Sequence, residues 1–390
     1  MTVTKKTKRI RLLDILRGFA IFGTLGTNIW LFAHLGDLNY LFTFHVEWWS
    51  SFDDFFRIFV LFLVNGKLLG VLTIMFGAGL ELKYRQSLRK NLPWPGTHLW
   101  ISVFLLLEGL IHYTLVMEYD ILMSYALTAI IVSLIIKGGD QAIKRVLIII
   151  GSLHAALILL LLFGVAYTNL AGGNISLGNM AYITALYREG TWLEQISYRI
   201  SNFVLLRTEA IFIIPMNIVL FLIGVRLMRS GAFLPDDKGR RIRSKMLWIG
   251  FGLGVPLNLL IFFPGGVFDL PVRYLFAPLL SVGYMALIAR LVEKSEQLRL
   301  WTYFEAVGKM ALSCYVLQNI LASLIFYGWG LGLGGQLGSL AVIGVWLLIC
   351  MLEMVVAKWW LDRQKFGPLE WARKALLRAF TERPKVSRGN

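Results

Sequence analysis

Charge is scarce in this sequence. Lys, Arg, Asp and Glu supply 16% of 390 residues, against 57% hydrophobic ones. A soluble domain of this size would need more charge on its surface. Cysteine is scarcer still. Cys314 and Cys350 both lie in apolar runs, which argues for packing residues and against a disulfide framework or Cys-based metal ligation. No zinc-type His/Glu spacing occurs, and no metal is expected. The Gly-rich stretch "GWGLGLGGQLG" (328–338) lacks the Gly-Lys-Ser/Thr of a phosphate loop and reads as a flexible turn. No internal repeat is visible.

Long apolar runs are abundant. Runs of about 18 to 26 residues, enough to cross a bilayer, fall near 12–33, 58–81, 99–117, 120–137, 145–169, 203–225, 246–264, 272–290, 305–327 and 338–359. They predict an all-α polytopic transmembrane bundle of about ten spans. The second run is the least clean. "FDDFFRIFVLFLVNGKLLG" carries Asp53, Asp54, Arg57 and Lys67, and predicts an amphipathic entry helix that breaks near Asn65-Gly66. The basic loop near 230–245 divides a six-span region, 1–230, from a four-span region, 231–390.

Orientation follows from the basic residues. The N-tail and connections 82–98, 137–145, 226–245, 290–299 and 358–390 hold 31 of the 39 Lys and Arg, whereas the alternate connections hold only Arg188 and Arg199. By the positive-inside rule both termini are cytoplasmic. The formal charge of +16 is then that bias plus a basic tail, with anionic lipid headgroups as partner; no nucleic-acid partner is expected. The basic start is read as an anchor before an uncleaved first span, because Asp14 and Arg17 interrupt what would be a signal core. The exterior segment 170–202 is expected to lie along the membrane surface. These features make the protein a multi-pass membrane protein.

Ionisable groups at membrane depth cost roughly 2.5–3.5 kcal/mol each on insertion scales, so each is a functional candidate. Asp14, Arg17 and Asn28 share one face of the first span. Lys67, Glu108, Arg207 and Glu209 are further candidates, and for Glu108 and Arg207 snorkelling to an interface is a poor explanation. Lys309, Glu305 and Arg273 fit snorkelling. His154, without an acidic neighbour, reads as a packing residue. His112 differs: in "LLLEGLIHYTLVMEYDILMSYAL" it lies four residues after Glu108 and before a short turn with Asp120, followed by Tyr125. A histidine oriented by a carboxylate is the usual arrangement of a general base, so His112 and Asp120 are the catalytic candidates.

Several stretches resemble one family. "LDILRGFAIFGTLGTNI" is similar to the opening signature of the YeiB family of bacterial membrane proteins, and "GLIHYTLVMEYDILMSYAL" resembles its His-to-Asp hairpin, with His112, Asp120 and Tyr125 at the matching positions. "VLFLVNGKLLGVLTIMFGAGLEL" resembles its second-span motif. "GKMALSCYVLQNI", "FYGWGLGL" and "KFGPLEW" look like its C-terminal domain of unknown function 418. The first span is also similar to that of transmembrane acyltransferases, which carry Arg and, ten residues on, His. Here the matching positions hold Arg17 and Asn28, and an amide cannot take a proton at neutral pH.

The resemblance implies a membrane acyltransferase using cytoplasmic acyl-CoA and an acceptor at the exterior side. Asp14, Arg17, Asn28 and Lys67 would bind the donor, and His112 or His34 would replace the missing histidine. The alternatives are a small-molecule permease or exporter, and a non-catalytic membrane protein.

Overall fold

The structure is a computed structural model that describes residues 10–44, 46–173 and 180–381. The basic N-terminal anchor, His45, most of the "AGGNISLGN" segment and the last nine residues of the basic tail lie outside the described residues.

The chain is all-α. Helices α1 (Arg11–Ala33), α2 (Phe52–Val64), α3 (Lys67–Arg89), α4 (Thr97–Leu115), α5 (Leu122–Lys137) and α6 (Gly139–Leu170) come first. Short helices α7 (Ala181–Glu189), α8 (Trp192–Ser201) and α9 (Phe203–Leu206) follow. Then come α10 (Ala210–Ser230), α11 (Asp237–Asn258), a single turn α12 (Asp269–Pro271), α13 (Ala277–Lys294), α14 (Leu300–Lys309), α15 (Ala311–Phe326), α16 (Ser339–Leu361) and α17 (Pro368–Thr381). Among the described residues eight segments are long and apolar enough to cross a membrane; the bent pair α14–α15 makes a ninth, and α5 is a shorter apolar helix. These ten follow the order of the ten apolar runs.

Burial sorts the helices. The apolar window of α1 is 78% buried and that of α6 only 11%, so α1 forms the centre and α6 faces outward. Around α1 pack α3, α14, α15 and α16. The approach of α14 is close: Phe304 stacks on Phe19 with ring centroids 3.8 Å apart. A Cβ at Gly18 would strike the Phe304 carbonyl, and one at Gly308 the Asp14 carbonyl. The Gly66-x-x-x-Gly70 pair serves the same purpose inside the molecule, where added carbons would meet the Arg273 carbonyl and Ser281 of neighbouring segments.

One expected break is present, and two of the expected spans differ in detail. The 58–81 run is two helices, because Asn65 caps α2 and Gly66, with φ of +74°, begins α3. The 203–225 run becomes a span only from Ala210, since Arg207 and Glu209 sit in a break where their side chains reach neighbouring helices. The 305–327 run bends by 91° at Met310. Its first half is held against α1, and the first turn of its second half is capped from far along the chain. The Glu370 carboxylate accepts from the N–H groups of Leu312 (2.9 Å) and Ser313 (3.2 Å). Local sequence carries no sign of that cap.

The described parts of segment 170–202 are tied to the bundle. Although Tyr182, Leu193 and Ile200 are exposed, Tyr187, Gln195 and Arg199 are fully buried. The Tyr187 hydroxyl donates to Glu118 at 2.5 Å, and Arg199 reaches Glu118 and the Thr114 carbonyl. Helices α7 and α8 therefore cap the bundle at the face away from the basic connections, called here the outer face.

Candidate functional site

Two cavities lie one behind the other in the bundle. The inner one has a volume of about 280 Å³. Its walls come from stripes at helical spacing: Phe76, Gly79, Leu80 and Lys83 on α3, and His98, Ile101, Ser102 and Leu105 on α4. Arg17 enters from α1, Lys309 from α14, and Glu370 and Arg373 from α17. Its mouth is thus cationic, while Phe76, Tyr125 and Phe221 give it an aromatic end.

The outer cavity is smaller, about 60 Å³. Thr24 and Asn28 line it from α1, Asp120 from the α4–α5 turn, Arg207 and Glu209 from the break before α10, and Arg273 and Tyr274 from a π-helical turn at Val272–Phe276. Arg207 donates to the carbonyl of Asp120 (2.8 Å) and to the Ser124 hydroxyl (3.1 Å). Arg273 donates to Glu209 at 3.0 Å, and the Tyr274 hydroxyl donates to the same carboxylate. Ile121 and Tyr315 line both cavities and form the partition between them.

The polar stripe of α1 connects the two. Arg17 lines the inner cavity, Thr24 and Asn28 the outer one. Asp14 is buried and accepts from Arg17 at 3.1 Å. Asn28 contacts the Met117 sulfur at 3.8 Å. On α15, Gln318 donates to the Thr24 hydroxyl at 3.1 Å, close to the partition.

His112 and Asp120 meet, with Nδ1 and Oδ1 3.0 Å apart and both side chains buried. The second Asp120 oxygen accepts the Met123 N–H at 2.9 Å. On the other edge of the ring, Asn319 Nδ2 lies 3.2 Å from His112 Nε2 and also donates to the Tyr315 carbonyl. An amide NH₂ can only donate, which makes Nε2 the acceptor and puts the ring proton on Nδ1, facing Asp120. Asp120 lines the outer cavity and His112 stands behind it. Tyr125 is not part of this group: its hydroxyl pairs with Thr73 at 2.6 Å, beside the inner cavity.

The remaining candidates are dispersed. Lys67 is fully buried near the outer end of α3, with its ammonium 5.7 Å from the Phe62 ring centroid and no hydrogen-bond partner among the described residues. Neither cavity includes it, so it stands apart from Asp14 and Arg17. Glu108 lies 3.5 Å from Arg373 of α17, so this part of the tail folds back onto the bundle. His34 stacks on Tyr40 with centroids 3.4 Å apart. Burial, and then the nearby Arg57 guanidinium, lower its pKa to about 3, so it is neutral. His154 donates from Nε2 to the Tyr274 carbonyl at 3.0 Å, as befits a packing residue. Cys314 and Cys350 are free and buried. Among the described residues no cluster of three His, Cys, Asp or Glu could hold a metal.

Sequence reading missed His98, Tyr315, Gln318 and Asn319. His98 stands at the end of the basic connection 82–98, where nothing local sets it apart. Tyr315, Gln318 and Asn319 fall at i, i+3 and i+4 within "GKMALSCYVLQNI", a polar face that the spacing alone could have marked.

The fold and these cavities define a polytopic all-α membrane protein with a polar path interrupted at its middle. Residues 227–379 match the family described as "Protein of unknown function (DUF418)". The chain is 28% identical to the uncharacterized protein YxaH of Bacillus subtilis, over 94% of each chain. It is likewise 28% identical to the uncharacterized protein YeiB of Escherichia coli, covering 94% of this chain and 96% of that one. A shorter match, 30% identical over 24% of the chain, is to an uncharacterized 39.9 kDa protein of Bacillus acidopullulyticus. The chain is thus similar to YxaH and YeiB over nearly its whole length, and its C-terminal part matches the domain of unknown function 418.

Proposed function

We propose that the protein is a membrane acyltransferase of the bacterial inner membrane, taking acyl-CoA from the cytoplasmic side and an acceptor from the exterior. One observation carries this reading: two cavities, the inner one cationic and the outer one lined by a carboxylate, share Ile121 and Tyr315 as a common wall.

The inner cavity suits an anionic donor with an apolar arm. Arg17, held by Asp14, would meet phosphate or the pantetheine carbonyl, and the aromatic end would take the arm. The donor supplies an acyl thioester. In the outer cavity the acceptor's hydroxyl or amine forms the new bond to the acyl carbon as the carbon–sulfur bond breaks. Asp120 is the group placed to receive the acceptor's proton, and the thiolate leaves toward the cytoplasm. His112 acts through Asp120: its Nδ1–H holds the carboxylate, and Asn319 fixes the tautomer. Asn28 lines the path and binds without exchanging a proton. Anionic headgroups would hold the basic inner face.

The test is to supply radiolabelled acetyl-CoA to inverted vesicles or purified protein and follow label transfer. Transfer that falls on Asp120→Asn, His112→Ala and Arg17→Ala supports the reading, and no binding or transfer of label overturns it.

A second reading, a permease for a small anion, is favoured by the breaks at Asn65-Gly66 and Arg207–Glu209 and by the π-helical turn at Val272–Phe276 around the outer cavity. Discontinuous helices lining a cavity are a transporter device. Uptake of an anion without label transfer would select it.

A further inference from the structure

The inner cavity contains a polar side chain that the fold leaves without a partner. His98 is 6% exposed and lies on the cavity wall. Neither ring nitrogen has a hydrogen-bond partner among the described residues. The ring is nevertheless fixed. It stacks on Trp94 with centroids 5.2 Å apart and planes 7° from parallel, and the Trp94 indole N–H is anchored on the Ser133 carbonyl at 2.8 Å. A neutral imidazole always presents one N–H and one acceptor nitrogen. A buried polar group without a protein partner is costly, and on a cavity wall a water, an ion or a ligand can satisfy it.

The neighbours say what that is. Arg17, Lys83, Lys309 and Arg373 line the same cavity. Among the described residues the one carboxylate on its wall, Glu370, already accepts from the first turn of α15 through both oxygens. Arg17 is paired with Asp14, Lys309 with Glu305 and Arg373 with Glu108, which leaves Lys83 as the wall cation with no ion pair among the described residues, while Phe76, Tyr125 and Phe221 form an aromatic cluster on the same wall. Trp94 stacks on the imidazole, which lines this cavity.

We propose that His98, with Lys83 and Arg17, is a phosphate-binding subsite that recognises a phosphate ester or pyrophosphate bearing an apolar or flexible tail. This deepens the acyl-CoA reading and rests on it only for the identity of the ligand. The phosphates of coenzyme A are one source of such a group and an anionic phospholipid headgroup is another. His98 donates its N–H to a phosphate oxygen, and the cations neutralise the charge.

The experiment is calorimetric titration of the purified full chain in neutral detergent with coenzyme A and with inorganic pyrophosphate, for wild type, His98→Gln and His98→Phe. Both ligands are expected to bind wild type. His98→Phe, which keeps the stacking on Trp94 but has no donor, should weaken both by roughly tenfold or more, the usual effect of losing a hydrogen bond to a charged group. His98→Gln keeps an N–H and should stay within about threefold. Melting curves of the two variants matching wild type establish that the fold is intact.

His98-dependent binding of pyrophosphate without any binding of coenzyme A supports the subsite and removes the acyl-CoA reading. Coenzyme A binding that His98→Phe leaves unchanged overturns the subsite and preserves the acyl-CoA reading. Binding of neither ligand by a folded wild type overturns both, with one further arm to identify a lipid source. In nanodiscs, replacement of phosphatidylcholine by phosphatidylglycerol should weaken pyrophosphate binding to wild type but not to His98→Phe if headgroups occupy the subsite; pyrophosphate affinity independent of lipid assigns it to a soluble phosphate.

Discussion

Glu370 holds the hydroxyl of Ser313 at 2.6 Å while its other oxygen accepts from the backbone N–H groups of Leu312 and Ser313. One side chain of the last helix thereby caps α15, fixes the 91° bend and puts a wall on the inner cavity. Glu370→Ala removes the acceptor for two N–H groups and a hydroxyl, a loss of about 1–3 kcal/mol. The melting temperature in detergent should fall, and protease should cut near residues 362–367 more readily. Unchanged melting and cutting would show that the cap is dispensable.

At the outer face, Arg199 and Glu118 are both buried, and Glu118 Oε1 has no hydrogen-bond partner among the described residues. Burial, followed by the Glu118 charge, raises the Tyr187 pKa well above its ordinary value, so the phenol keeps its proton and donates it. Arg199→Met strands the carboxylate and should cost about 3–5 kcal/mol. Adding Glu118→Gln should restore part of that loss. Chemical denaturation of the single and double variants checks this, and equal stability of the two would refute the coupling.

His34 gives a pH dependence with a definite sign. Its ordinary pKa of 6.5 falls to about 3 in the fold, so between these values the unfolded chain binds more protons than the folded one. Stability should therefore be unaffected by His34 above pH 6.5 and decline as pH falls from 6.5 toward 3. His34→Gln should flatten that decline in a melting series from pH 7 to pH 4. A series identical to wild type would mean that the imidazole is free to protonate in the folded protein.

Tyr315 separates the cavities, and its hydroxyl oxygen accepts the Ile121 N–H at 3.4 Å. In a chain whose Cys314 and Cys350 are replaced by Ala, Asn28→Cys should react with a membrane-impermeant thiol reagent from the outer side alone. Adding Tyr315→Ala should admit reagent from the inner side, whereas Tyr315→Phe should not. Labelling from both sides before Tyr315 is changed would contradict a closed partition.

The helical architecture was legible because each crossing must be apolar over its own length, which is a local property. The Asn65-Gly66 break was legible for the same reason, since polar residues and a glycine interrupt an apolar run. The 91° bend was not, because its cause is Glu370, nearly 60 residues away. His112 and Asp120 could be paired from the sequence because only eight residues and a tight turn part them. Asn319 is 207 residues from His112, and no local pattern joins them. Lys67 was grouped with Arg17 on chemistry alone, although the helix that carries it starts at the opposite face.

The central place of α1 bears on how the protein is made. α1 is synthesised before the helices that pack around it, and Arg11 finds its partner Glu305 only 294 residues later. At about 5–20 residues per second, that delay is roughly 15–60 s. During it Asp14, Arg17 and Asn28 must be tolerated without the bundle that later encloses them. The Asp14–Arg17 pair, three residues apart, can form at once within the nascent helix and shield both charges until α14 arrives. The pair that anchors the mouth of the inner cavity would thus also let the first helix wait in the membrane for the last third of the chain.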